Sequence, residues 1–249
     1  ALGYDALSAN TAGTTNTAVG HGTLKHNVEA GANTAVGDLA LRQLKTSTAA
    51  TYNTAVGRAS QRGPNNEAQF HTGERNTSVG AGSMKVITTG NDNTAVGYWS
   101  QYGASITGDY NTSIGSNSLK NLDSGDKNIS VGHEAGDVIT SGSNNVIIGS
   151  GSDPSASSAS NQTVIGYNVT GQADNSVVLG NADVTAIYMA QDKGATVHAA
   201  GADLSGSTGL ILENDETITN STDGTVLING TVAGGTGSAA GVFTSNGDQ

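Results

Sequence analysis

No cysteine occurs among the 249 residues. That excludes disulfide bonds, a thiolate metal site and a cysteine nucleophile. Proline occurs only twice, so neither a collagen-like repeat nor a proline-rich spacer fits. Charged residues make up 12% of the chain, about half the usual share. Aromatic residues make up 4%. No apolar run reaches the ~18 residues that a membrane span needs, so no membrane insertion is expected. Basic residues number 10 against 21 acidic ones, giving a net charge of −11. Nine of the ten basic residues lie within 1–127. No nucleic-acid partner is expected from such a balance, since binding a phosphate backbone needs clustered Lys and Arg. These residues carry neither a signal-peptide pattern nor a heptad pattern. The chain opens on Ala1 inside a repeat, which reads as a fragment or a processed product.

What the chain does have is glycine, 36 residues of it, and a repeated word. NTAVG stands at 16–20, 33–37, 53–57 and 93–97. Aligned on its closing glycine, the series runs Gly3, Gly20, Gly37, Gly57, Gly80, Gly97, Gly115, Gly132, Gly149, Gly166 and Gly180. The steps are 17, 17, 20, 23, 17, 18, 17, 17, 17 and 14 residues. A period this short suits one coil of a β-solenoid rather than a helical repeat. The two long steps predict loops extruded from coils whose strands stay in place.

The residue before each glycine is aliphatic: Leu2, Val19, Val36, Val56, Val79, Val96, Ile114, Val131, Ile148, Ile165 and Leu179. Two residues earlier stands Thr17, Thr34, Thr54, Thr77, Thr94, Thr112, Ile129, Val146, Thr163 or Val177. Side chains alternate along a strand, so these two columns share a face. Between them a small-residue column, Ala18 to Ser130, faces the other way. We expect the Thr and Val columns inside each coil as the structural repeat core. The Ala/Ser column is expected to meet a neighbouring chain. A second short strand is expected after each glycine, in segments such as GHGTL and GDLAL, then a Gly/Asn turn. The recurring Asn either stacks as a ladder or satisfies backbone in the turn. A coil of 17 residues encloses one or two aliphatic side chains, too few to offset its ordering entropy alone. An oligomer, in which each thin roll borrows burial from others, is therefore expected.

These words resemble the YadA-like head repeats of trimeric autotransporter adhesins, with NNVIIG (144–149), NQTVIG (161–166) and NSVVLG (175–180) nearest that form. The NTAVG type, with Ala-Leu after the glycine, is similar to repeats of phage tail-fibre proteins. So is the segment 182–201. The resemblance implies an all-β, left-handed parallel β-roll or β-solenoid of about eleven coils over 1–180, assembled as a homotrimer. A capping or neck segment would follow over 181–205, then a short β-rich shaft or linker over 206–249. It also implies a non-enzymatic phage tail-fibre protein for host attachment, on a virion appendage outside the cell. Its partners would be a host cell-surface glycan or protein and other fibre or tail proteins. The alternatives are the head of a bacterial autotransporter adhesin, on the cell surface, and a polysaccharide-degrading tailspike.

No catalytic constellation stands out, and no cofactor or metal is expected. The Gly-x-Gly pairs at Gly20/Gly22, Gly80/Gly82 and Gly149/Gly151 read as bends rather than phosphate cradles. His21 and His133 share a surface position. The turn acids Glu74, Asp92, Asp109 and Asp126 read as turn and solubility residues rather than a calcium site. Rows of Thr raise an ice-binding reading, set aside because the Thr column is expected inside. Two segments are candidate receptor or glycan contacts. One holds Tyr98, Trp99, Tyr102 and Tyr110; the other, within the extended loop 58–76, holds Arg58, Arg62, Phe70, His71 and Arg75.

Overall fold

The computed structural model describes residues 1–45, 51–64 and 69–188. Within them the chain forms ten three-residue strands: β1 Thr17–Val19, β2 Thr34–Val36, β3 Thr54–Val56, β4 Thr77–Val79, β5 Thr94–Val96, β6 Thr112–Ile114, β7 Ile129–Val131, β8 Val146–Ile148, β9 Thr163–Ile165 and β10 Val177–Leu179. They form one parallel sheet in sequence order, which makes nine turns of a β-solenoid without a helix among the described residues. Leu2 adds a single parallel bridge to Val19, so the first glycine word contributes a bridge and not a strand. The register is strict: Thr34 faces Thr54 and Thr54 faces Thr77 across the two long steps. The strands on either side of the additional residues thus stay paired, as their spacing predicts, while 46–50 and 65–68 within those insertions lie outside the described residues. At ~4.8 Å per strand, the sheet runs about 43 Å. No strand is assigned over 181–188; the rest of the neck segment (189–205) and the shaft (206–249) lie outside the described residues.

The strand faces are the reverse of the expectation. Ala18, Ala35, Ala55, Ser78, Ala95, Ser113 and Ser130 point into the coil and are buried. The aliphatic column points outward: Val19, Val36, Val56, Val79, Val96, Ile114, Ile148, Ile165 and Leu179 are 36–44% exposed in the single chain. The Thr column lies outward with it; Thr17 and Thr34 are exposed and Thr54 half-buried. The reason is the width of the coil. Its opposite wall fills the interior with Leu24, Leu41, Met84 and Leu119, all fully buried, and the strand wall has room only for a methyl or hydroxymethyl group. Further along the sheet the strand centres are larger, Ile147 and Val164, both buried in one cluster with Leu119, Leu122, Ala135 and Ile139.

The segment after each glycine is a turn, not the expected second strand. Positions two and four beyond the glycine take left-handed backbone, for example Leu39 (φ 59°) and Leu41 (φ 48°), or Trp99 (φ 52°) and Gln101 (φ 48°). A strand excludes such angles. Coil-to-coil bonding continues regardless: the N–H of Leu24 donates to Ala40 O and that of Met84 to Ser100 O, both at 3.0 Å. The corner glycines are required twice over. Gly20 and Gly57 have φ near +130°, and a Cβ on either would stand 2.6 Å from the carbonyl oxygen of the next corner glycine.

The recurring Asn does both of the things left open by the sequence. Asn33, Asn53, Asn76, Asn93, Asn111, Asn128 and Asn145 are buried. Each Oδ1 accepts the backbone N–H of the equivalent residue one coil on, as in Asn93 to Asn76 (3.0 Å) and Asn111 to Asn93 (2.9 Å). Each Nδ2 donates to a turn carbonyl, as in Asn93 to Gly108 O and Asn111 to Gly125 O, both 2.8 Å. The ladder replaces a strand along that corner, pairing buried backbone groups that would otherwise be stranded.

Candidate functional site

Two surfaces stand out. The first is the outward sheet face, a continuous double column of Thr and Val along all ten strands, with Ile129, Val146 and Val177 replacing Thr towards its end. Isolated apolar side chains on a surface need no explanation, but a contiguous apolar stripe marks an interaction site.

The second is a cleft of about 180 Å³ on the turn side of the coils closed by Gly57, Gly80 and Gly97. It arises from what one coil lacks. Arg58, Ala81 and Tyr98 occupy the same position in three successive coils, directly after the corner glycine. Ala81, with Gly82 beside it, leaves a gap between the walls made by its neighbours. The walls stand two layers, or about 10 Å, apart. Tyr98 stacks on Trp99 with ring centroids 4.7 Å apart, and Trp99 lies 5.2 Å from Tyr102. Trp99 leans over Gly82, whose missing Cβ would stand 2.6 Å from Trp99 Cδ1. The Nζ of Lys85 lies 5.2 Å from the Tyr102 ring centroid, and that of Lys120 lies 5.5 Å from Trp99. These are cation–π distances. Arg58 and Arg62 line the opposite side. The Arg58 side chain is 76% exposed, with Asp38 3.5 Å away.

The structure thus joins Arg58 and Arg62 from one predicted segment to Tyr98, Trp99 and Tyr102 from the other. It places the remaining candidates elsewhere. Tyr110 is exposed in a different column, beside the Asn ladder. Phe70 packs edge-on to His26, under Lys45 Nζ at 4.6 Å. Arg75 is held by Asp92 (2.7 Å) and Glu74 (2.8 Å). Hydrogen bonding to Arg75 in turn holds the Asp92 carboxyl below its ordinary range. Asp109 and Asp126 accept backbone N–H groups of Asn91 (2.7 Å) and Asp109 (2.8 Å), as turn residues do. Among the described residues no group of three His, Asp or Glu could hold a metal ion. His21 bonds Asp38 at 2.8 Å, and His133 stands 3.6 Å from Glu134.

Lys85 and Lys120 were missed because each looks isolated in the chain. Their signal is register. Lys25, Arg42, Arg62, Lys85 and Lys120 all stand five residues after the corner glycine of their coil, and Tyr102 fills the same position between the last two. Half of the ten basic residues therefore share one column of an acidic protein.

His71 is fully buried, so its ring meets no solvent in this chain, and neither ring nitrogen has a partner among the described residues. Burial lowers its pKa to about 3. The unfolded chain takes up this proton near pH 6.5 and the folded chain refuses it until about 3. Stability from this group is therefore complete above pH ~6.5 and falls by about 1.4 kcal/mol per pH unit below it. His71→Leu removes both the unpaired nitrogens and this slope. Its melting temperature, read by circular dichroism, is expected to rise relative to the parent as pH falls from 7 to 4. A constant difference across that range would show that the imidazole is hydrated in solution.

No protein family, curated protein or solved structure matches the chain, so its geometry alone carries the functional reading.

Proposed function

We propose that this chain is a structural fibre protein of a phage tail or a similar appendage, which attaches to a host surface and has no turnover chemistry. In this reading left-handed rolls of about eleven coils assemble as a homotrimer, with the Thr/Val faces turned towards one another. The observation that supports it is the outward aliphatic column. At ~25 cal/mol per Å², burying what each of these side chains leaves exposed contributes roughly 1 kcal/mol, repeated in every coil and every chain. The turn side, with its cleft, stays free for recognition. The head of a bacterial trimeric adhesin would use the same assembly. A tailspike enzyme is less well supported, since no carboxylate pair lines the cleft.

Sedimentation equilibrium is expected to give three times the 24.7 kDa chain mass. A stable monomer at micromolar concentration refutes the trimer. One observation favours a second reading: the Thr column, expected inside, is outward and in register from strand to strand. A monomer whose solution shows thermal hysteresis of freezing would move the function to ice binding.

A further inference from the structure

We propose that the cleft over Ala81 and Gly82 binds an acidic sugar unit of a surface polysaccharide. This rests on the attachment reading above and names the chemical class that the attachment would recognise. Tyr98 offers the ring face. Its side chain is half exposed, and Trp99 supports it from behind at stacking distance. A pyranose has an apolar face of C–H groups that packs on such a ring. The charge comes from the same cleft. Arg58, Arg62 and Lys85 line it, and Lys120 stands over Trp99 on the far side. A guanidinium offers a carboxylate a two-pronged contact, and a lysine offers a mobile point charge.

The surroundings select for a ligand of moderate charge density. The chain as a whole carries −11, and half of its ten basic residues stand in one column. A polymer of closely spaced phosphates would meet more repulsion outside this column than attraction within it. A polysaccharide with one carboxylate per sugar or fewer engages the cations and tolerates the rest. The column also sets a direction. Arg62, Lys85 and Lys120 repeat with the coils at the cleft, while Lys25 further up the same column is paired with Asp5 at 2.8 Å, so a bound chain runs along the solenoid axis from Arg62 towards Lys120.

Trp99 is the only tryptophan and reports on the cleft directly. The full chain in its native assembly is titrated, at low salt, with an oligogalacturonate, with maltoheptaose and with single-stranded oligo-dT. The expected result is a saturable change in Trp99 emission with the oligogalacturonate that weakens as sodium chloride is raised. Two variants locate the site. The double variant Arg58→Gln, Lys85→Gln removes cations, and Ala81→Tyr fills the gap without touching a charge. Each is expected to lower affinity at least tenfold while sedimentation and melting stay those of the parent. No saturable response to the oligogalacturonate, or the parent's affinity retained in both variants, overturns the proposal. Oligo-dT binding as tightly as the uronate overturns it in favour of a nucleic-acid groove. Equal binding of maltoheptaose overturns the acidic specificity and leaves surface attachment standing. The assembly reading fails separately, by a monomer in the centrifuge, whatever the titration shows.

Discussion

Asn93→Ala lowers the stability of the single coil stack by about 3–5 kcal/mol, an unusually large loss for one polar side chain. The Asn93 Nδ2 donates to Gly108 O at 2.8 Å, and its Oδ1 accepts the N–H of Asn111 at 2.9 Å. Asn93 and Asn111 are both buried. Truncation strands a carbonyl and an N–H at once, each costing about 1–3 kcal/mol in a site that water does not reach. The loss also falls in the middle of the ladder, where coils on both sides depend on it. Asn93→Asp separates the two roles. It keeps the acceptor for Asn111 but removes the donor to Gly108 and buries a charge. It is expected to be as damaging as the alanine variant at pH 7 and to recover in part near pH 4, where the protonated carboxyl again donates. Urea unfolding followed by circular dichroism measures both. A loss below about 1 kcal/mol for Asn93→Ala would show that the backbone ladder holds this corner unaided.

The period, the parallel order and the in-register pairing were legible because every coil repeats the same word. An insertion that leaves the word intact leaves the strands in register, as the pairing of Thr34 with Thr54 and Thr54 with Thr77 shows. Which face points inward was not legible from one strand. Alternation divides side chains into two sets and does not say which set is enclosed. The deciding quantity is the volume on the facing wall, and the sequence does carry it. Ala18, Ala35 and Ala55 share one buried cluster with Leu24 and Leu41, whose bulk leaves room only for a methyl group on the strand wall. The turn after each glycine was illegible for another reason. Leu41 and Trp99 hold left-handed backbone that such residues seldom adopt, so nothing local announces it. The cleft was half legible. Its aromatics were visible as a crowd, while Lys85 and Lys120 became visible only when counted from the corner glycine of their own coils.

The two strand faces can be told apart by neighbouring residues of one strand. Val96→Asp is expected to leave each roll folded and to abolish the proposed trimer. In the single chain Val96 is 36% exposed, between Val79 and Ile114 in the same column, so a carboxylate there keeps its water. In the trimer three such carboxylates would be desolvated close to one another, at a cost of at least ~3 kcal/mol per chain. The centrifuge should then show a monomer with the parent's β circular dichroism. Val96→Thr, which copies the hydroxyl side chain already present in the adjacent column, should remain trimeric. Ala95→Val moves the change by one residue and reverses the outcome. Ala95 is fully buried, packed with Met84, Ile87 and Ile106, so two extra methyl groups overpack the coil. That costs about 1–3 kcal/mol of folding stability within the chain itself. If Val96→Asp instead unfolds the roll, the aliphatic column contributes to the fold of one chain. If it stays trimeric with unchanged melting, the chains associate through some other surface and the Thr/Val face is open to water.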